Sequence, residues 1–268
     1  MKIGEISFFL QSWVKAAFKV SDTKSVYFSQ GNLQFNAMQG THKTADGNAK
    51  GTWRFAENQY DVIGRENKNV DYAYNGWIDL FKWGTSGAVY QPWDGPCASW
   101  TANEDWGVYN AISNGGDEPN KWRTLTTSEW QYLFKNNKWT FGYINDGTNS
   151  YLCFMLIPET FTAPEGTTVT VVSTTTSSTS ASAFVPLANN YTTEQFASLE
   201  QLGVVALPCG GSRSGSSMSD VGTDGHYWSS SAYDSELAYE FYFYSTRVYS
   251  DYSNIRFDGM SVRLVQDF

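Results

Sequence analysis

Between Tyr227 and Asp258 the chain reads YWSSSAYDSELAYEFYFYSTRVYSDYSNIRFD, and seven of its 17 tyrosines fall there among Ser, Asp and Asn. That mixture suits recognition rather than bond-making: Tyr offers a wide amphipathic contact with few rotors to freeze, while Ser and Asn adapt their hydrogen bonds. Tyr is also a good strand residue, so a half-buried sheet would account for part of the same composition. Alternation discriminates. A strand over AYEFYFY sends Tyr239, Phe241 and Phe243 inward and stands Glu240, Tyr242 and Tyr244 on the opposite face. The candidate ligand-binding set is therefore Tyr233, Asp234, Ser235, Glu236, Glu240, Tyr242, Tyr244, Tyr249, Asp251, Tyr252, Ser253, Asn254, Phe257 and Asp258. Tyr242, Tyr244 and Tyr252 are the expected anchors, sharing one contiguous patch with Tyr233 and Phe257.

Other chemistry has thinner support. The chain holds two histidines, His42 and His226, and neither stands in a recognisable nucleophile–base context, so no catalytic residue is assigned. Gly210 to Ser217, GGSRSGSS, lacks the Lys and the strand–loop–helix setting of a phosphate loop and reads as a tight supporting loop. Cys97, Cys153 and Cys209 are too few and too scattered for a zinc ribbon or a disulfide framework. Buried thiols are the expectation, with one bridged pair left open. Glu118-Pro119-Asn120 matches a calcium-lectin sugar signature, whose oxygens suit calcium. It precedes a helix signal, however, with no WND partner downstream, and reads as a turn into Trp122. Asp71, Asp79, Asp94, Glu104 and Asp105 form a looser oxygen set read as solvated loop carboxylates, so neither metal nor cofactor is expected.

The elements that must hold the tyrosines are partly readable. Thr126 with Glu129, and Thr192 with Gln195, are capping-box pairs that open two helices, the second stopping at Gly203. VYFSQGNLQF and MSVRLV are strand-like. Residues 165–190 include the Ser/Thr tract TVVSTTTSSTSAS, which cannot bury apolar area and reads as an inserted, mobile hairpin or loop. Residues 1–19 read as an amphipathic appendage or leader, and residues 20–268 as one ligand-binding domain.

HYWSSSAYD, AYEFYF and RFDGMSVRLV, together with KSVYFSQGNLQF, TWRFAENQYDVIG, WIDLFKWGTSG, KWRTLTTSEWQYLF and GVVALPCGGSRSGSS, resemble the variable proteins of diversity-generating retroelements in their gut bacterial and phage branch. The resemblance spans about Val20 to Val265. It implies an α+β C-type-lectin fold with two helices, short antiparallel strands and long aromatic-rich loops, whose first and last strands pair. It also implies that a reverse transcriptase misreading adenines turns Asn codons into Tyr, Ser, Asp, Ile or Phe at chosen positions. Glu236 and Glu240 do not fit that outcome and have another template codon or are fixed. The implied function is a diversified receptor-binding protein, on a phage tail fibre or bacterial surface, that engages a protein or glycan on a cell surface. A fixed-specificity carbohydrate-binding adhesin is the alternative, followed by a formylglycine-generating type of enzyme, whose paired-cysteine copper site these cysteines do not match. Relatives occur as monomers and as trimers, so a homo-oligomer stays open.

A net charge of −9 and a pI near 4.7 argue against a phosphate-binding surface, and nucleic acid is not an expected partner. ISFFLQSWVKAAF is a poor signal peptide and too short to span a bilayer, so no targeting signal or membrane insertion is read. If Glu118-Pro119-Asn120 is a turn, a calcium chelator leaves ligand binding intact. Binding lost in chelator, restored by Ca²⁺ and abolished by Asn120→Ala would instead establish lectin-type calcium chemistry.

Overall fold

A computed structural model describes residues 13–39, 51–69, 73–83, 105–172, 179–182 and 184–268. In chain order the first half gives β1 (Trp13–Lys19), β2 (Ser25–Ser29), β3 (Leu33–Asn36), β4 (Thr52–Phe55), α1 (Trp106–Tyr109), β5 (Arg123–Thr124), α2 (Thr127–Asn136), β6 (Lys138–Asn145) and β7 (Ser150–Ile157). The second half gives β8 (Ser180–Ser182), β9 (Asn190–Thr192), α3 (Thr193–Gln201), β10 (Val205–Pro208), β11 (Ser212–Ser214) and β12 (Ser217–Ser219). It closes with β13 (Asp224–Ala232), β14 (Leu237–Tyr244), β15 (Arg247–Ile255) and β16 (Leu264–Asp267).

Both capping boxes form. Thr126 and Thr192 accept from the backbone N–H of Glu129 and Gln195, whose side chains answer to the cap N–H groups. Gly203, at φ 90°, sits just past α3, where a residue with a Cβ would be strained and would press on Ala16.

The α+β C-type-lectin expectation with two helices is overturned: of the described residues, 42% are in strands and 13% in helices, with three helices, a mainly-β fold of several small sheets. The physical reason lies in segments whose apolar runs do not alternate. KWTFGYIN and SYLCFMLI pair over eight positions from Lys138↔Ile157 to Asn145↔Ser150, and a run such as LCFMLI carries no period of two because both of its faces are covered.

The described strands form three four-stranded sheets, β1-β2-β16-β5, β10-β7-β6-β9 and β13-β14-β15-β8, and two hairpins, β3-β4 and β11-β12. β2 and β16 pair antiparallel, so the strands near the two ends do meet. Residues 13–19, read from sequence as part of an appendage, are the edge strand β1 of the first sheet; residues 1–12 lie outside the described residues. The Ser/Thr tract supplies β8, which extends the third sheet beside β15. Upstream of it, Thr140 and Asn189 bind the carbonyl of Thr170, and the Val172 N–H donates to Trp139 O.

One face of β14 meets the largest core. Phe241 stacks on Trp130 of α2 at 4.8 Å and 9°, and meets Phe154 of β7 edge-on at 5.0 Å. Phe243 lies flat against Tyr227, and its ring sits directly over Gly225, where any Cβ would collide with it. The other face is divided along the strand. At the Ala238 end it is covered by Trp228, Phe81 and Trp83, with the Trp228 and Trp83 indoles donating to Phe81 O and Ser229 O. The Tyr242 and Tyr244 end remains half-buried.

Phe241→Ala should therefore cost roughly 3–5 kcal/mol of stability, because it empties a site enclosed by four aromatic rings, whereas Tyr244→Ala should change the melting midpoint little. Chemical denaturation ranks the two, and the reverse order would overturn the face assignment.

Candidate functional site: a tyrosine concavity on β14 and β15

Tyr249 and Tyr252 are separated by an odd number of positions, which in a regular strand would point them to opposite faces. A β-bulge removes the conflict. Glu240 pairs with Tyr252 and Tyr242 with Tyr249, so Ser250 and Asp251 together oppose the single residue Phe241. The extra residue re-aims everything beyond it, a recognised use of bulges. Tyr249 and Tyr252 both come onto the face of Tyr242, and Asp251 turns to α2, where it accepts a hydrogen bond from Gln131.

The result is an open concavity of about 290 Å³ lined by Asp224, Tyr242, Tyr244, Tyr249 and Tyr252. Tyr242 is its centre: its ring stacks on Tyr249 at 5.6 Å and 8°, and tilts against Tyr252 at 5.1 Å and 47° and against Tyr244 at 5.6 Å and 41°. Its hydroxyl donates to Asp224 Oδ2 at 2.8 Å. Lost hydration and that carboxylate together raise the Tyr242 pKa, so the phenol stays neutral.

Beneath Tyr242, the His226 ring stacks at 4.5 Å and 18°, and its Nδ1 lies 3.0 Å from Glu240 Oε2. Burial works against charge on His226, but the Glu240 hydrogen bond and charge, with Asp224 and Asp220, outweigh it and raise the pKa. Asn254 Nδ2 approaches the other Glu240 oxygen at 3.4 Å. This buried pair fixes the imidazole plane on which the central tyrosine rests.

The expected set thus divides. Tyr242, Tyr244, Tyr249 and Tyr252 come together. Glu240 lies on the expected face but is only 1% exposed and is a support for His226, not a group presented to a ligand. Tyr233, Asp234, Ser235 and Glu236 are exposed at the β13–β14 turn, at the opposite end of β14 from Tyr244 and so roughly 20 Å away along the strand. Tyr233 packs edge-on against Tyr239, on the other face, and the Asp234 carboxylate caps its own turn through the Glu236 and Leu237 N–H groups. Asp251 and Ser253 belong to the α2 side of β15, whereas Asn254 stands beside Glu240. Phe257 is exposed and Asp258 half-buried in the turn that follows β15, outside the lining of the concavity. One patch joining Tyr233 and Phe257 to the anchors does not form. Asp224 was missed by sequence reasoning; His226, beside the YWSS strand, reads from sequence as a structural or rim residue, and the cross-strand pairs Asp224↔Tyr244 and His226↔Tyr242 place both at the site.

The remaining candidates have structural partners. Asp79 is buried, accepting from Ile63 N and Asn67 Nδ2, and burial pushes its pKa up to about 6. Asp105 caps α1 and also accepts from Thr124 N, and burial likewise pushes it up to about 6. These two are therefore not solvated loop carboxylates; Asp71, Asp94 and Glu104 lie outside the described residues. Glu118 and Asn120 are exposed in a turn in which Asn120 adopts φ 60° and donates its N–H to Gly107 O and Val108 O. Cys153 and Cys209 are free and buried, with both thiol pKa values raised by burial; Cys97 and His42 lie outside the described residues.

In comparisons with known proteins, residues 164–265 match a domain of unknown function, DUF8237, over less than half of the chain. The matched stretch contains the four tyrosines and Asp224. No curated protein and no solved structure matches the chain.

Asp79, Asp105 and His226 all have folded pKa values above their ordinary ones. Each therefore contributes stability that is complete below its ordinary pKa and lost as pH rises through its folded pKa. The two carboxylates act between their ordinary range and about 6, and His226 acts above its ordinary value. The melting temperature should rise as pH is lowered from about 8 to about 5, and Glu240→Gln should flatten the upper part of that slope. A midpoint that falls steadily over the interval would contradict these assignments.

Proposed function

We propose that this chain is a recognition protein that binds a protein or glycan on a cell surface through the tyrosine face of β14 and β15, and that it is a variable protein of a diversity-generating retroelement. The observation that carries the reading is the concavity itself: four half-buried or exposed tyrosines and a carboxylate converge on rigid strands whose reverse side is locked into the core. Large aromatic anchors supported from behind are what concentrate binding energy. Glu240, whose identity does not fit adenine-directed variation, is a buried scaffold residue, which supports a division between fixed support and variable rim. The phage tail fibre or bacterial surface remains the proposed location. No described helix is long and apolar enough to cross a membrane.

A protein and glycan array probed with the purified chain identifies the ligand. Tyr244→Ala and Tyr252→Ala should each then weaken binding by on the order of 2 kcal/mol, while Leu187→Ala, at a fully exposed site elsewhere, should leave it unchanged. Equal binding by all three variants would contradict the reading. The genomic counterpart is an adjacent reverse transcriptase with a near-identical template repeat differing only at adenines.

A further inference from the structure

We propose that the concavity bounded by Tyr242, Tyr244, Tyr249 and Tyr252 is a cage for an organic cation, a quaternary or fully methylated ammonium head group. The proposal rests on the recognition reading above and names the chemistry of a ligand for that face.

Aromatic faces carry the negative side of the ring quadrupole and attract a cation held within about 6 Å of the ring centroid. Here Tyr242 and Tyr249 stack at 8°, while Tyr244 and Tyr252 meet these rings at 41°, 47° and 54°, so the walls converge instead of forming the flat platform that a sugar ring would cover. Among the described residues, the only charged one in the lining is Asp224. Its Oδ2 accepts the Tyr242 hydroxyl, and its Oδ1 has no hydrogen-bond partner among the described residues. A carboxylate at the wall opposes an anionic ligand, as does a chain of net charge −9. A bare ammonium is a compact, strongly hydrated charge that the ring faces cannot resolvate, whereas a methylated one brings no N–H donors and presents an apolar shell to the rings. Arg247 is the cation at the rim: its Nη1 lies 3.4 Å from the Tyr249 hydroxyl, where it holds that ring by its edge and repels a bound cation.

The test is calorimetric titration of the full chain with choline and with its neutral carbon isostere, which has the same shape without the charge. Choline should bind, and the isostere should bind about tenfold or more weakly. Asp224→Asn and Tyr252→Ala should weaken choline binding, and Arg247→Gln should strengthen it, with thermal melts confirming that each variant is folded. Phosphocholine and trimethyllysine, titrated in parallel, separate a choline-bearing surface molecule from a methylated side chain as the source, and preference for either supports the cage. Equal affinity for choline and its isostere, or binding of neither by the folded protein, overturns it. If the cage fails while Tyr252→Ala still weakens capture of the array ligand, the recognition face stands; if both fail, the recognition reading fails with it.

Discussion

One guanidinium ties the sheets together. Arg263, immediately before β16, is fully buried, and no carboxylate forms an ion pair with it among the described residues. It donates instead to Asn32 Oδ1, Ser29 O, Gln59 O and Ala206 O at 2.8–3.1 Å. Those acceptors come from the end of β2, the loop before β3, the loop after β4 and the centre of β10. Asn32 in turn donates to the Tyr227 hydroxyl of β13, which donates to Pro208 O. Burying a charge without a counter-ion is costly, and desolvation holds the Arg263 pKa below its ordinary value. The arrangement is stable because four of the guanidinium's five N–H donors meet buried oxygens, and a buried oxygen left unpaired costs about 1–3 kcal/mol. Shift any one of these sheets and several buried groups lose partners together.

From that clamp the logic of the recognition face follows. β13 and β14 are locked from behind by Tyr227, Phe241 and Phe243, and the adjoining part of the front is closed by Trp228 and Trp83. What remains open is one end of one sheet face. The bulge at Ser250 and Asp251 fills that end with tyrosines from both β14 and β15. The His226–Glu240 pair then supplies a polar but fixed floor, so the central tyrosine is held from below while its neighbours stand at the rim. A face built this way can change its rim residues without disturbing the groups that hold the strands in register.

The legible parts of the sequence were local. Two capping boxes fixed the starts of α2 and α3, and alternation in AYEFYFY separated Phe241 and Phe243 from Tyr242 and Tyr244, because both signals lie within a few residues of the element they specify. What was not legible is long-range. The fold class was misjudged because the β6–β7 hairpin is covered on both sides and so shows no alternation. The burial of Glu240 depends on His226, which is remote in sequence and meets it only across β13 and β14. Asp224 enters the site by the same cross-strand register. Tyr233 has the composition of the site but turns to the other face after the irregular stretch in β13, where Trp228↔Glu240 gives way to Ala232↔Ala238. Arg263 stands in MSVRLV, which reads only as strand-like, and nothing near it in sequence announces the four oxygens around it.

The central claim is that one clamped scaffold carries a recognition face on which its stability does not depend. Equilibrium denaturation of two variants tests it most directly: Arg263→Met, and the combined Tyr244→Ser, Tyr249→Ser and Tyr252→Ser. Removing the guanidinium strands four buried acceptors and should cost roughly 4 kcal/mol or more, whereas the three rim substitutions together should cost less than about 2 kcal/mol. A rim variant that loses as much stability as Arg263→Met would show that the tyrosines are part of the structural core, and would contradict the account.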